Sequence, residues 1–208
     1  STTGLGHKLF IVRSKKFFGS VNSCMDILVK EFNQSEKEQF EFLSNFVKKY
    51  QPKTILEIGS GWGLSACAFL LNSSAVLTTI DPRERLEEFE RRTKIMGVRN
   101  RITRIIGRSG KNCEDKRHQS SKFNLLESFM QKFDIIYIDG SHEYDDVFYD
   151  LTYSLELANK FILADDYFHR ENFGGSYGVN KAISQIAKSK GFSYLVHPVA
   201  HGLVEISI

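Results

Sequence analysis

The segment Thr54-Ile-Leu-Glu-Ile-Gly-Ser-Gly-Trp-Gly63 restricts the fold of this chain more than any other. Thr54 to Ile58 reads as a buried strand that runs straight into a turn holding three glycines. Lacking a Cβ, Gly59, Gly61 and Gly63 let the backbone turn sharply and approach a ligand closely. A helix expected from about Leu64 to Leu71 would aim its N-terminal amides at the same point. Strand, glycine turn and helix together describe a ligand crevice in an open α/β sheet.

The glycine spacing narrows the ligand. A dinucleotide fingerprint, G-x-G-x-x-G, would need its third glycine at position 64, which is Leu64. A phosphate-binding loop needs Gly-Lys-Ser/Thr after the turn, and none follows. Glu57 stands one residue before the strand's end, where a pyrophosphate would be repelled. An acid followed by a glycine turn suits a cationic, hydroxyl-bearing ligand instead.

The residues Glu57, Gly59, Ser60, Gly61 and Gly63 resemble motif I, E/D-x-G-x-G-x-G, of the class I S-adenosylmethionine (SAM)-dependent methyltransferases. That resemblance implies that this stretch binds SAM. Asp81 lies at the end of the next expected strand, 24 residues after Glu57 (81 minus 57). A carboxylate there is placed to accept bonds from both ribose hydroxyls. Ser109, in Gly107-Arg108-Ser109, falls where relatives carry a small or acidic residue near the adenine; Arg108 departs from that pattern.

Alternating elements support the fold that the motif implies. Ser35-Glu-Lys-Glu38 reads as a capping box for a helix carrying Phe40, Leu43, Phe46, Val47 and Tyr50 at helical spacing and ending before Pro52. Strands are expected at Ala75–Ile80, Arg101–Ile106, Asp134–Asp139 and Lys160–Ala164. Helices are expected at Arg83–Met96, Phe123–Lys132, Tyr144–Leu157 and Val179–Lys190. Phe192–Val196 and Gly202–Ile208 read as a closing hairpin. The expectation is a Rossmann-like class I methyltransferase fold: a seven-stranded, mostly parallel sheet with helices on both faces. Residues 1–34 read as an N-terminal arm, a possible lid or oligomer contact, ahead of a methyltransferase domain over 35–208.

Two later segments narrow the resemblance. Asp139-Gly-Ser-His-Glu-Tyr144 and Phe161-Ile-Leu-Ala-Asp-Asp166 are similar to a branch marked by D-G-x-H-x-Y after strand four and D-D after strand five. That branch includes sugar-directed O-methyltransferases of macrolide biosynthesis and cephalosporin hydroxylase-like proteins. Relatives carry a glycine pair where this chain has Ala158-Asn-Lys160, a departure expected to affect only a turn. Asp139, Asp165 and Asp166 could converge on one octahedral Mg²⁺, since hard oxygen ligands suit that ion and crowded carboxylates need a cation. Such a metal would orient two substrate oxygens and acidify a hydroxyl. His142 is then placed as the base, the use relatives with the same D-x-x-H spacing imply, and Asp139 shares the catalytic and cofactor-binding positions. Helix capping by Asp166 and His142 is the structural alternative.

Composition removes other classes. The chain has 208 residues, 41% of them apolar, enough for one sizeable core. A net charge of +3 and the lack of an RNA-binding motif argue against nucleic acid as partner. Arg83 to Arg117 holds twelve Lys/Arg against six Asp/Glu, which reads as a solvated face or as an attraction for an anionic substrate. Cys24, Cys67 and Cys113 show no metal or disulfide spacing, and no apolar run approaches ~20 residues. A soluble cytoplasmic protein is expected, with no membrane partner and a possible homo-oligomeric state. The functional expectation is Mg-assisted O-methyl transfer from SAM to a hydroxyl of a small sugar-like or polyol-like molecule. A non-catalytic SAM-binding subunit and a hydroxylase-like metal enzyme are the alternatives.

Overall fold

The structure, a computed structural model, describes residues 32–82, 86–109, 125–168 and 178–208. Most of the N-terminal arm lies outside the described residues, as do Cys24, Cys113, His7, His118 and residues 169–177.

Helix α1 (Gln34–Tyr50) starts at a capping box, two residues ahead of the one expected. Asn33 Oδ1 accepts from the Glu36 amide at 3.0 Å, and Glu36 Oε2 accepts from the Asn33 amide at 2.8 Å. Asn supplies the same acceptor oxygen as Ser, so the cap moves without changing its chemistry. The helix stops where Gln51 turns left-handed ahead of Pro52. Among the described residues four more α-helices follow: α2 (Leu64–Leu71), α3 (Leu86–Ile95), α4 (Tyr144–Leu157) and α5 (Gly178–Lys190). None of the described helices is long and apolar enough to cross a membrane.

The strands are β1 (Thr54–Ile58), β2 (Val76–Asp81), β3 (Ile102–Ile106), β4 (Phe133–Ile138), β5 (Ala158–Ala164), β6 (Leu195–His197) and β7 (Leu203–Ser207). They form one seven-stranded sheet in the order β3-β2-β1-β4-β5-β7-β6. Pairs among β1 to β5 are parallel, whereas β7 runs antiparallel to both β5 and β6. The strand order reverses between β1 and β4, and that switch point is where an open α/β sheet offers a crevice.

Side chains alternate across the sheet and build two cores. Ile55, Leu77, Tyr137 and Leu163 pack with residues of α1, α2 and α3. Leu56, Ile58, Ile136, Ile138 and Ile162 pack with α4 and α5. Four described arginines of the basic stretch after β2 have partners within the molecule. Arg91 and Arg92 pair with Glu88, Arg99 pairs with Glu90, and Arg101 donates to the carbonyls of Leu70, Ser73 and Ala75 at the end of α2.

Two expectations are corrected. Instead of a helix over Phe123–Lys132, the described part holds only a 3-10 turn, Leu126–Ser128. Leu126 is buried while Met130 is fully exposed, so no apolar stripe continues. Phe129 extends instead and packs edge-on against Phe133, which opens β4. Likewise Ala158-Asn-Lys160 is not a turn: α4 runs directly into β5, and a register shift opposite Phe133 and Ile135 absorbs the change.

Candidate active site

The parallel ladder continues one residue beyond the strands and fixes their ends together. Gly59 N donates to Ile80 O at 2.8 Å, Gly107 N to Asp81 O at 3.1 Å, Asp139 N to Ile58 O at 2.8 Å, and Asp165 N to Ile138 O at 3.0 Å. The three motif glycines serve three purposes. Gly59 has φ 91°, and a Cβ there would stand 2.0 Å from the Asp139 carbonyl oxygen, so β1 can pass the end of β4 only as glycine. Gly61 also has positive φ, but the place of its Cβ is open space facing the cavity. Gly63 precedes α2 and lies against the Phe89 ring of α3, with 3.0 Å to a would-be Cβ.

Asp81 braces this turn. Its Oδ2 accepts from the amides of Ser60 and Gly61, both at 2.8 Å, and from Ser60 Oγ at 3.2 Å. Glu57 lies beneath the turn, fully buried and away from the cavity wall. Ser65 of α2 donates to its Oε1, while Oε2 has no hydrogen-bond partner. Burial pushes the Glu57 carboxyl up to about 7, against the downward pull of that serine bond.

At the neighbouring strand ends, Asp139, His142 and Asp166 come together. One ligand atom from each lies within 4.8 Å of the others, and His142 Nε2 stands 2.6 Å from Asp166 Oδ2. Asp166 adopts φ 61°, a left-handed conformation uncommon outside glycine and most tolerated by Asn and Asp. The His142 turn is held from behind by Gly178 at the start of α5, where a Cβ would stand 2.0 Å from His142 O.

Asp165 parts company with this group. Its Oδ2 accepts from the Tyr137 hydroxyl at 3.0 Å and from the Gln39 side-chain amide, and its Oδ1 accepts from the Asp166 amide at 2.8 Å. Gln39 also donates to Tyr137 Oη at 2.7 Å, and that hydroxyl lies 3.3 Å from Asp139 Oδ2. Burial, with the Asp166 charge, pushes Asp165 up to about 6. Burial and the charges of Asp165, Asp166 and Glu57 hold Asp139 well above the usual carboxylate range, opposed by Tyr137.

A cavity of about 790 Å³ connects these features. Gly59, Ser60, Gly61, Asp81, Ser109, Asp139, His142 and Asp166 all line it; Glu57, Gly63 and Asp165 do not. Its walls also carry residues the sequence reading missed: Glu36 and Gln39 from α1, Arg92 from α3, and Asp146 and Asp150 from α4. Arg92 is nearly buried, lies over the rings of Phe32 and Trp62, and leaves Nη1 without a hydrogen-bond partner. Tyr137 did leave a signal, because a tyrosine in an otherwise apolar buried strand needs a partner for its hydroxyl. Gln39 left none, since its contact spans 126 residues of chain. Trp62 stands on the cavity wall, whereas Val147 and Leu151 belong to the core. His197 is tied to Glu205 at 2.9 Å, away from the cavity.

Six carboxylates against two arginines line the cavity, a balance that favours a cationic ligand. Asp139 and Asp166 supply the hard oxygens that Mg²⁺ takes; the His142 nitrogen in the same group also suits softer divalent ions.

A family profile described as "methyltransferase domain" matches residues 56–167, more than half of the chain. No curated protein matches it. Among solved structures, an O-methyltransferase from Bacillus cereus in complex with S-adenosylhomocysteine (SAH) is similar, with TM-score 0.65, 15% identity, and 91% of this chain and 90% of that one covered. The SAH-bound methyltransferase PaMTH1 of Podospora anserina gives TM-score 0.63 at 18% identity, covering 99% and 97%. The O-methyltransferase TomG of Streptomyces achromogenes, in complex with SAM, gives 0.61 at 17%, covering 82% and 79%.

Proposed function

This chain belongs to the methyltransferase domain family, and on that premise we propose that it moves a methyl group from SAM to a hydroxyl of a small sugar-like or polyol-like molecule. One observation carries the reading: the braced glycine turn and the Asp139–His142–Asp166 group share a single cavity. The turn supports binding of the methyl donor. The acid and imidazole group, one to two strands away, supports activation of the acceptor.

The residues divide the work as follows. Gly61 leaves room for the donor, Asp81 holds the turn in place beside the ribose position, and Arg92 offers an unused guanidinium nitrogen to a carboxylate. Bound SAM supplies a methyl group already activated on a sulfonium. The acceptor oxygen forms the new C–O bond as the S–C bond breaks, and its proton passes to His142. Asp166, 2.6 Å from His142 Nε2, stabilises the imidazolium that results. Asp139 and Asp166 would hold a divalent cation, Mg²⁺ by preference of their oxygens, and that ion would acidify the hydroxyl. Alignment of the two reactants supplies much of the rate in such a transfer.

Calorimetric titration of SAM and SAH, with Mg²⁺ and then with EDTA, tests the donor. A panel of polyols and sugars, read by product mass, tests the acceptor. SAM binding in either condition and a product heavier by one methylene unit are expected. A product heavier by one oxygen would favour a hydroxylase, and failure to bind SAM or SAH would remove the donor from the account.

A further inference from the structure

Tyr137 of β4 and Leu163 of β5 are paired across the sheet, and both pack under α1. Asp139 and Asp165 each stand two residues further along, so their side chains leave toward that same face. The buried Tyr137 hydroxyl therefore meets two carboxylates, Asp165 Oδ2 at 3.0 Å and Asp139 Oδ2 at 3.3 Å. A phenol carries one hydrogen, so it can serve only one of them well. Distance alone favours Asp165.

Gln39 changes that balance. Its Nε2 donates to Asp165 Oδ2 and to Tyr137 Oη, the latter at 2.7 Å. An amide nitrogen has two hydrogens, one for each partner, and an ionised carboxylate only accepts, so this side chain can stand only one way round. Asp165 is then satisfied without the phenol, because Gln39 serves Oδ2 and the Asp166 amide serves Oδ1 at 2.8 Å. The Tyr137 hydroxyl accepts from Gln39 and keeps its hydrogen for Asp139 Oδ2. Two contacts hold the donor in place. The capping box fixes the start of α1, and Glu38 Oε2 accepts from the Ala200 amide, in the turn before β7, at 3.3 Å.

We infer that Gln39 is a positioning residue: by satisfying Asp165 it releases the Tyr137 hydrogen to Asp139, and so fixes the orientation of that carboxylate beside His142 and Asp166. The inference rests on the divalent-cation part of the reading above and deepens it. Asp139 is one of the two acids that would hold the ion. A hydrogen bond that orients a metal-binding side chain from behind is worth about 10- to 100-fold in affinity. Without Gln39 the phenol hydrogen turns to Asp165, and Asp139 is free to rotate.

The probe is Mn²⁺, which takes the same oxygen donors as Mg²⁺, titrated into the full chain and followed by electron paramagnetic resonance of the unbound ion. The native protein should bind the ion, and Asp139→Ala should abolish that binding. Gln39→Leu, similar in size but without a donor, should weaken Mn²⁺ by about 10- to 100-fold, and Gln39→Met, of the same length, should match it. Tyr137→Phe should cost the same factor. Adding Gln39→Leu to it should cost less than about twofold more, since both act through one hydrogen. Thermal unfolding of each variant establishes that it is folded. Native affinity in the Gln39 variants, or an equal loss with and without the Tyr137 hydroxyl, would overturn the inference and leave the cation reading intact. No Mn²⁺ binding by the native protein, or binding that survives Asp139→Ala, would overturn the cation reading and this inference with it.

Discussion

His142 Nε2 lies 2.6 Å from Asp166 Oδ2, which ties the turn after β4 to the turn after β5. The pairing fixes the ring's direction.

His142→Asn should therefore lower kcat by about 10²- to 10⁴-fold, the usual worth of a positioned acid–base group. SAH affinity, measured by calorimetry, should stay within about twofold, because the proposed donor site is the glycine turn. A variant with native kcat would remove His142 from the chemistry.

The glycines of the turn separate in a pair of substitutions. Gly61→Ala meets open space, so its cost is the left-handed backbone alone, about 1–2 kcal/mol. It should remain folded yet lose SAH affinity. Gly59→Ala places a methyl 2.0 Å from the Asp139 carbonyl oxygen and must displace a strand end. Its unfolding midpoint should fall well below that of Gly61→Ala.

Asp81→Ala removes an acceptor shared by the Ser60 and Gly61 amides. Hydrogen bonds to a charged group contribute about 1.5–3 kcal/mol each. Both the denaturation midpoint and SAH affinity should drop, whereas Asp81→Asn, which keeps one acceptor oxygen, should recover part of each.

Stability should also depend on pH through Glu57. Burial raises this carboxyl from 4.5 in the unfolded reference to about 7 in the fold, so the folded protein holds the proton more tightly. The associated stabilisation is complete below about pH 4.5 and is lost as pH rises through about 7, at up to about 1.4 kcal/mol per pH unit. Asp150, raised by burial to about 7, acts in the same direction. Thermal unfolding between about pH 5 and 8 should show the midpoint falling with pH, and Glu57→Gln should flatten the slope. An equal slope in that variant would rule out Glu57 as the source.

The glycine turn, the acids at the strand ends and the closing hairpin were legible because each is a local pattern tied to one element. What Asp165 and Asp166 do separately was not. A D-D pair reads as two ligands, but neighbouring residues leave a strand in opposite directions. Asp165 accordingly turns to Tyr137 and Gln39, and only Asp166, at φ 61°, reaches His142. Asp81 was legible by position but not by partner, since its bonds to the turn are made by backbone amides that every sequence possesses. The helix expected over Phe123–Lys132 failed for another reason: composition suits a helix there, but Phe129 gains more from packing on Phe133.

Gln39 sits on α1, and its amide ends at Tyr137 of β4 and at Asp165 just beyond β5. Helix α1 thus braces the candidate site through Gln39 rather than only covering the core. Whatever docks against α1 and tilts it by an ångström would slacken the Tyr137–Asp165 bonding and loosen the aim of Asp139. A chain trimmed to begin at β1 would keep the sheet's pairing partners and lose that aim.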